Sequence, residues 1–257
     1  MPTTATFMNV FVINLDRNPE RLAHMRNQLR SVAFDRIAAI DGAKDPPTVR
    51  GLTRFELACL ASHQRAWRQF LDRAGGEHAC FLEDDLHIRP QFAALIENDG
   101  WIPADAHSVK LDTYLQRVKL GNPRPAPGGR RVARLYTRHQ SSAAYLLSRE
   151  GAKHYLKLTA KPTFPADYSL FPENPRKLGL RVYQLTPAIA IQDHLLRTEE
   201  GGQTFATAMA SGEASRPALR EKLAREATRL MSQVGNCGEA IYLKAFLKPV
   251  TTTVALR

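Results

Sequence analysis

Short apolar runs alternate with amphipathic helical stretches from residue 8 to about residue 195, and this alternation most constrains the fold. It predicts an α/β chain built on a largely parallel sheet. Residues 8–15, MNVFVINL, read as a buried opening strand. Asn18, Pro19 and Glu20 are the residue types of a helix start, and Leu22, Met25, Leu29 and Val32 recur at helical spacing behind them. After a Pro- and Gly-rich loop, Thr53 and Glu56 have the spacing of a capping box, heading a second helix that is expected to run to about Arg73. Further strands are expected at Ala79–Leu82, in SVKLDTY, in SSAAYLLS and in RVYQLTPAIAIQD. Helices are expected near residues 90–98 and from Ser148 to about Leu158, with FPADYSLF as a Pro-flanked loop between.

The chain has 257 residues, 44% hydrophobic and 24% charged, enough for one sizeable core. We expect a catalytic domain over residues 8–200 and a helical, basic tail over 201–257. No run approaches the roughly 18 to 20 apolar residues of a membrane span, and the N-terminus lacks the basic region of a signal peptide. Cys59, Cys80 and Cys237 are scattered without a CxxC pair, which argues against a disulfide framework or structural zinc. A cytoplasmic location is expected. Net charge is +11, so polyanions are expected partners: nucleic acid, an anionic bilayer or a phosphorylated substrate. Residues 117–138 hold seven basic residues and no acidic one.

The most chemically pointed feature is Glu83-Asp84-Asp85, directly after the apolar run Ala79–Leu82. Ligands of open α/β sheets bind at the carboxyl ends of strands. Three crowded carboxylates repel one another, and a cation relieves that repulsion. Hard oxygen ligands suit Mg²⁺ or Mn²⁺, either of which can neutralise a departing diphosphate. The alternative is a solvated acidic turn.

Taken in order, VINLDRNPER, AAIDG, LTRFELACLASHQRAW, FLEDDL, VKLDT, SSAAYLLSREGAKHYL, PADYSLF and VYQLTPAIAIQD resemble glycosyltransferase family 25 over residues 8–195. The family includes bacterial lipooligosaccharide galactosyltransferases and, more distantly, collagen galactosyltransferases. The resemblance implies a GT-A-type fold with a mixed, mostly parallel sheet and a UDP-hexose donor, usually UDP-galactose. It also implies inverting transfer to a surface glycan such as lipopolysaccharide, assisted by Mn²⁺ or Mg²⁺. Its acidic motif maps onto Glu83-Asp84-Asp85, with Asp85 first in line for the metal and Glu83 or Asp84 facing ribose or metal. Gln192, Asp193 and His194 are further ligand candidates.

Asn14, Leu15, Arg17 and Arg21 follow the first strand, where a nucleotide is cradled and arginines can grip phosphate. Glu56 and His63 share a helix face, with Glu56 already committed to the capping box. Lys110 interrupts an apolar strand and would meet phosphate if it lies near the metal. Asp167 is the first candidate for the general base that inversion requires, and Asp112 and Asp193 are its rivals. A metal-dependent phosphoesterase and a noncatalytic polyanion-binding protein are the competing functions. No motif for specific nucleic-acid recognition is present. In the tail, Leu219, Leu223, Ala227, Leu230 and Val234 form one helical stripe. AIYLKAFLKP surrounds two lysines with apolar groups, a pattern suited to an anionic headgroup layer near a lipid-linked acceptor.

Overall fold

The computed structural model of the chain describes residues 8–44, 51–196, 205, 247 and 249–257. Its first half contains β1 (Asn9–Asn14), α1 (Pro19–Gln28), β2 (Asp35–Ala38), α2 (Arg54–Asp72), β3 (His78–Glu83), β4 (Leu86–Ile88) and α3 (Phe92–Ile96). Next come β5 (Ser108–Lys110), β6 (Asp112–Thr113), β7 (Arg117–Leu120), β8 (Arg124–Ala126) and β9 (Arg130–Arg134). β10 (Ala144–Ser148), α4 (Arg149–Leu158), α5 (Ala166–Leu170), β11 (Val182–Thr186), β12 (Ala190–Gln192) and β13 (Val250–Thr253) complete the described elements.

The main sheet has the order β2-β1-β3-β10-β5-β11-β9-β8. β1 is parallel to β2 and β3, and β5 to β11. β10 lies antiparallel between β3 and β5, and β9 antiparallel between β11 and β8. Six of the eight strands therefore run one way, and β9 and β10 are reversed. The α/β class with a mixed, mostly parallel sheet is as expected.

The two-residue period of a strand sends β1 side chains to both faces. Val10 and Val12 join Met25, Leu29, Cys80 and Leu82 in one core, and Phe11 and Ile13 join Leu60, Trp67, Phe70, Phe81 and Tyr145 in the other. A strand buried on both faces reads as a continuous apolar run, which is why MNVFVINL is legible. The capping box is present: Glu56 N donates to Thr53 Oγ1 at 3.2 Å, and Thr53 N donates to Glu56 Oε2 at 2.8 Å. Ser148 caps α4 by accepting from Gly151 N at 3.0 Å. Asn18 stands at the N-cap of α1, but its side chain makes no capping bond.

Register sets where the site can form. Asn14 lies opposite Ala38, and Ile13 opposite Glu83, so β1, β2 and β3 end level with one another. Reversed β10 begins at that same edge, with Ala144 opposite Leu82.

One expectation needs correction. FPADYSLF is not a loop, because Ala166–Leu170 forms the short helix α5, with Pro165 at its N-cap. The basic stretch 117–138 is built of antiparallel strands β7, β8 and β9. The chain terminus returns to the domain rather than remaining apart from it. β13 pairs with β7, Val254 is fully buried, and Thr113 Oγ1 donates to Val254 O at 2.6 Å. The Leu219–Val234 stripe and most of AIYLKAFLKP lie outside the described residues.

Candidate active site

A cavity of about 570 Å³ opens at the level ends of β1, β2 and β3. It brings together Leu15, Arg17, Arg21, Glu56, His63, Glu83, Asp84, Asp85, Asp167 and His194. These residues span 179 positions of sequence numbering, and the sheet register gathers them.

The three acids have different surroundings. Asp84 receives a 2.7 Å hydrogen bond from Asn14 Nδ2 and pairs with Arg21 at 3.1 Å. Burial outweighs these partners and pushes its carboxyl above the ordinary value. Glu83 Oε1 accepts from His63 Nε2 at 3.2 Å and from Ser142 Oγ at 3.1 Å. Burial pushes Glu83 up, but His63 and Ser142 more than offset it, so its carboxyl lies below the ordinary range. Asp85 is different. Among the described residues its carboxylate is bonded only by Gln192 Nε2, at 3.3 and 3.4 Å. Burial first, then the charges of Glu83 and Asp84, raise its pKa to about 7.

A buried chain of hydrogen bonds runs from Trp67 through Tyr145 and His63 to Glu83. Trp67 Nε1 donates to Tyr145 Oη at 2.8 Å, so the Tyr145 hydroxyl proton is free to point at His63 Nδ1, also 2.8 Å away. With the Tyr145 hydroxyl donating, Nδ1 accepts and the ring proton sits on Nε2, 3.2 Å from Glu83 Oε1, so the core would set the His63 tautomer.

Hard-metal chemistry fits the acidic cluster, because Asp85 and Glu83 offer carboxylate oxygens around a charge that Arg21 and Gln192 only partly offset. Cys59, His63 and Glu83 also bring ligand atoms within 4.8 Å of one another. That trio is a poor metal site: both His63 nitrogens are engaged, and burial, then Glu83, raises the Cys59 thiol well above its ordinary value.

Four expected site residues stand behind the cavity wall rather than on it. Lys110 and Asp112 form a wholly buried pair at 2.7 Å. Lys110 Nζ also donates to Ser141 O at 2.6 Å and lies 4.6 Å from the Phe171 ring centroid. It therefore turns inward and braces Ser141, which holds a positive φ of 78° on the cavity wall. Lys110 is not placed to meet phosphate, and Asp112 has no open path to an acceptor. Asp193 is 1% exposed, with one carboxylate oxygen 2.7 Å from His87 Nε2 and the other accepting from Phe205 N at 2.9 Å. Its own N–H donates to Asp85 O at 2.8 Å, so it holds the acidic turn in place instead of facing substrate. Asn14 likewise acts through Asp84.

Sequence reasoning missed part of the wall. Asp41 and Gly42 line it through the AAIDG segment, with Arg17 paired to Asp41 at 3.4 Å. Gly42 is required by close approach: a Cβ there would lie 2.8 Å from Arg54 O. Ser62 secures this segment by accepting from Ile40 N at 2.8 Å. Tyr114, Arg138, Ser142 and Tyr168 are also on the wall. AAIDG was visible as a motif, whereas Arg138 was one arginine among many.

The cavity thus gathers an acidic cluster at level strand ends, Arg17 and Arg21, and Asp167 paired with Arg138 at 3.3 Å. The chain belongs to glycosyltransferase family 25: the family model described as "Glycosyltransferase family 25 (LPS biosynthesis protein)" matches residues 7–170. It is 29% identical over 152 residues to the lacto-N-neotetraose biosynthesis glycosyltransferase LgtB of Neisseria gonorrhoeae, covering 55% of this chain and 54% of that protein. It is 26% identical over 198 residues to the lipooligosaccharide biosynthesis protein lex-1 of Haemophilus influenzae, covering 72% and 65%. Procollagen galactosyltransferase 1-B of Xenopus laevis is 28% identical over 182 residues, covering 61% and 29%. The chain spans about half the length of several curated relatives it matches. A crystal structure of a glycosyltransferase involved in glycosylation of the major capsid of PBCV-1 aligns over 76% of this chain and 96% of its own, at TM-score 0.39 and 11% identity.

Proposed function

We infer that this chain is a metal-dependent, inverting glycosyltransferase that moves a hexose, galactose from UDP-galactose, onto a lipooligosaccharide or related surface glycan. The observation that carries the reading is Asp85, a buried carboxylate crowded by two others and lacking a cationic contact of its own among the described residues. Relatives named for lipooligosaccharide synthesis and for procollagen galactosyl transfer support the acceptor class and the sugar.

A bound Mn²⁺ or Mg²⁺ would supply positive charge for the leaving diphosphate. Asp85 would hold it, with Glu83 as second ligand and His194 as a further candidate on the wall. Arg17 and Arg21 line the cavity and would meet the nucleotide phosphates. Asp167 is the only one of the three base candidates that lines the cavity, and it would take the proton of the acceptor hydroxyl during attack at the anomeric carbon. Arg138 pairs with Asp167 at 3.3 Å and would orient it. The acceptor is proposed to be lipid-linked and anionic, met at an anionic membrane surface on the cytoplasmic side, where a chain of net charge +11 is attracted.

The test is hydrolysis of a UDP-sugar panel with EDTA, Mn²⁺ or Mg²⁺. UDP-galactose is expected to turn over only with metal, and folded Asp85→Ala to lose at least about 100-fold. Full turnover by Asp85→Ala, or by wild type in EDTA, would overturn the metal assignment.

A further inference from the structure

Among the described residues, the exposed large hydrophobic side chains are Leu115, Phe164, Tyr168, Leu178 and Val250. Two of them form a pair: the Phe164 and Tyr168 rings are 6.3 Å apart between centroids and only 14° from parallel. Tyr168 is also the one member of the five that lines the cavity, one residue from Asp167. Phe164 is 56% exposed and Tyr168 39%, so leaving them at the surface forgoes apolar burial.

Their setting holds them still. Pro165 precedes α5, whose core side is anchored by fully buried Leu170 and Phe171. The Arg138 guanidinium lies 3.2 Å from the Tyr168 ring centroid while pairing with Asp167 at 3.3 Å. A cation on one ring and a carboxylate beside it fix Tyr168 and Asp167 relative to each other. The result is an aromatic surface beside the proposed base.

We propose that Phe164 and the Tyr168 ring face turned away from Arg138 form the acceptor subsite, on which the terminal pyranose of the acceptor glycan stacks through its C–H face while its hydroxyl reaches Asp167. This rests on the glycosyltransferase reading above. The electron-rich ring face attracts polarised C–H bonds and leaves the equatorial hydroxyls free at the sugar edge. Two rings match one sugar in size and fall far short of a protein or membrane interface. Tyr168 and Asp167 line the same cavity and share Arg138, so a sugar stacked on the rings would lie beside the proposed base.

The experiment measures transfer from UDP-galactose to methyl β-glycosides of glucose, galactose and N-acetylglucosamine. Wild type is compared with Phe164→Ala, Phe164→Trp and Tyr168→Phe, with thermal melts checking the fold. Phe164→Ala is expected to raise acceptor KM about tenfold or more relative to donor KM. Phe164→Trp and Tyr168→Phe should retain most of the affinity, because each keeps an aromatic face. An unchanged acceptor KM in Phe164→Ala, with donor turnover intact in wild type, overturns the subsite alone. If wild type neither binds nor hydrolyses any UDP-sugar, the transferase reading falls and the subsite falls with it.

Discussion

Asp167 is separated from its rivals by access. Asp112 is sealed in an ion pair with Lys110, and Asp193 is committed to His87 and a backbone N–H, whereas Asp167 lines the cavity. Asp167→Asn preserves shape and removes the proton acceptor. We expect kcat to fall about 100-fold or more, with UDP affinity, read by calorimetry, changed little. Equal loss of nucleotide binding would make Asp167 structural. A second residue-scale prediction concerns pH. His139 is fully buried, accepts from Tyr114 N at 3.1 Å through Nε2, and bonds Gln184 Oε1 at 2.6 Å through Nδ1. Burial, then the Lys110 charge, lowers its pKa to about 3, whereas the unfolded chain takes up that proton near its ordinary value. Stability from this group is therefore present above about pH 6.5 and is lost as pH falls toward 3, by at most about 1.4 kcal/mol per pH unit. In urea titrations at pH 7, 6 and 5, His139→Gln should show a shallower acid slope than wild type. Identical slopes would show that His139 does not carry the linkage.

Elements position the site through their ends. α2 begins at a capping box and carries Ser62, His63 and Trp67, so one helix secures the Ile40 segment, holds Glu83 and supplies the far end of the relay. β10 contributes Tyr145 from within the sheet. Tyr145→Phe deletes the hydroxyl that joins helix to strand. It strands Trp67 Nε1 and His63 Nδ1 in the core, at a cost of about 1 to 3 kcal/mol in stability. The His63 tautomer is then no longer imposed, so Glu83 loses its assured donor. We expect the melting temperature to drop and the apparent Mn²⁺ requirement for turnover to rise several-fold. Adding His63→Gln to Tyr145→Phe supplies an amide donor toward Glu83 whatever the imidazole tautomer would have been, and should recover part of the metal affinity. If Tyr145→Phe melts lower but its metal requirement is unchanged, the relay serves stability alone.

At the scale of the whole molecule, charge and the returning terminus matter together. Arg117, Arg124 and Arg131 are exposed on β7, β8 and β9, adding to the net charge of +11. Binding to anionic vesicles is expected at low salt, with release as ionic strength rises beyond the screening of surface charges. Co-sedimentation with phosphatidylglycerol-containing and purely neutral vesicles across a salt series checks it. Equal binding to both, or none at low salt, would sink the membrane contact. Deleting the chain end is an unsuitable probe, because β13, Val254 and the Arg257 carbonyl, which accepts from Arg130, belong to the folded domain. Among the described residues no helix is long and apolar enough to cross a membrane.

What the sequence by itself determined is local or periodic. The buried run of β1, the T-x-x-E start of α2, the Ser148 cap and the carboxylates ending β3 each follow from nearby residues. Tertiary structure decided which side of the wall each polar residue faces. Lys110 and Asp112, two apart on adjoining short strands, are the same chemical types whether they serve a ligand or one another, and only β10 and Ser141 closing over them makes the pair internal. The same holds for Asp85: Asn14, Arg21, His63 and Ser142 come from distant segments to satisfy its two neighbours and leave it uncompensated. Hydrogen-bond partners seventy residues apart follow from strand register and helix packing, and no local pattern encodes them.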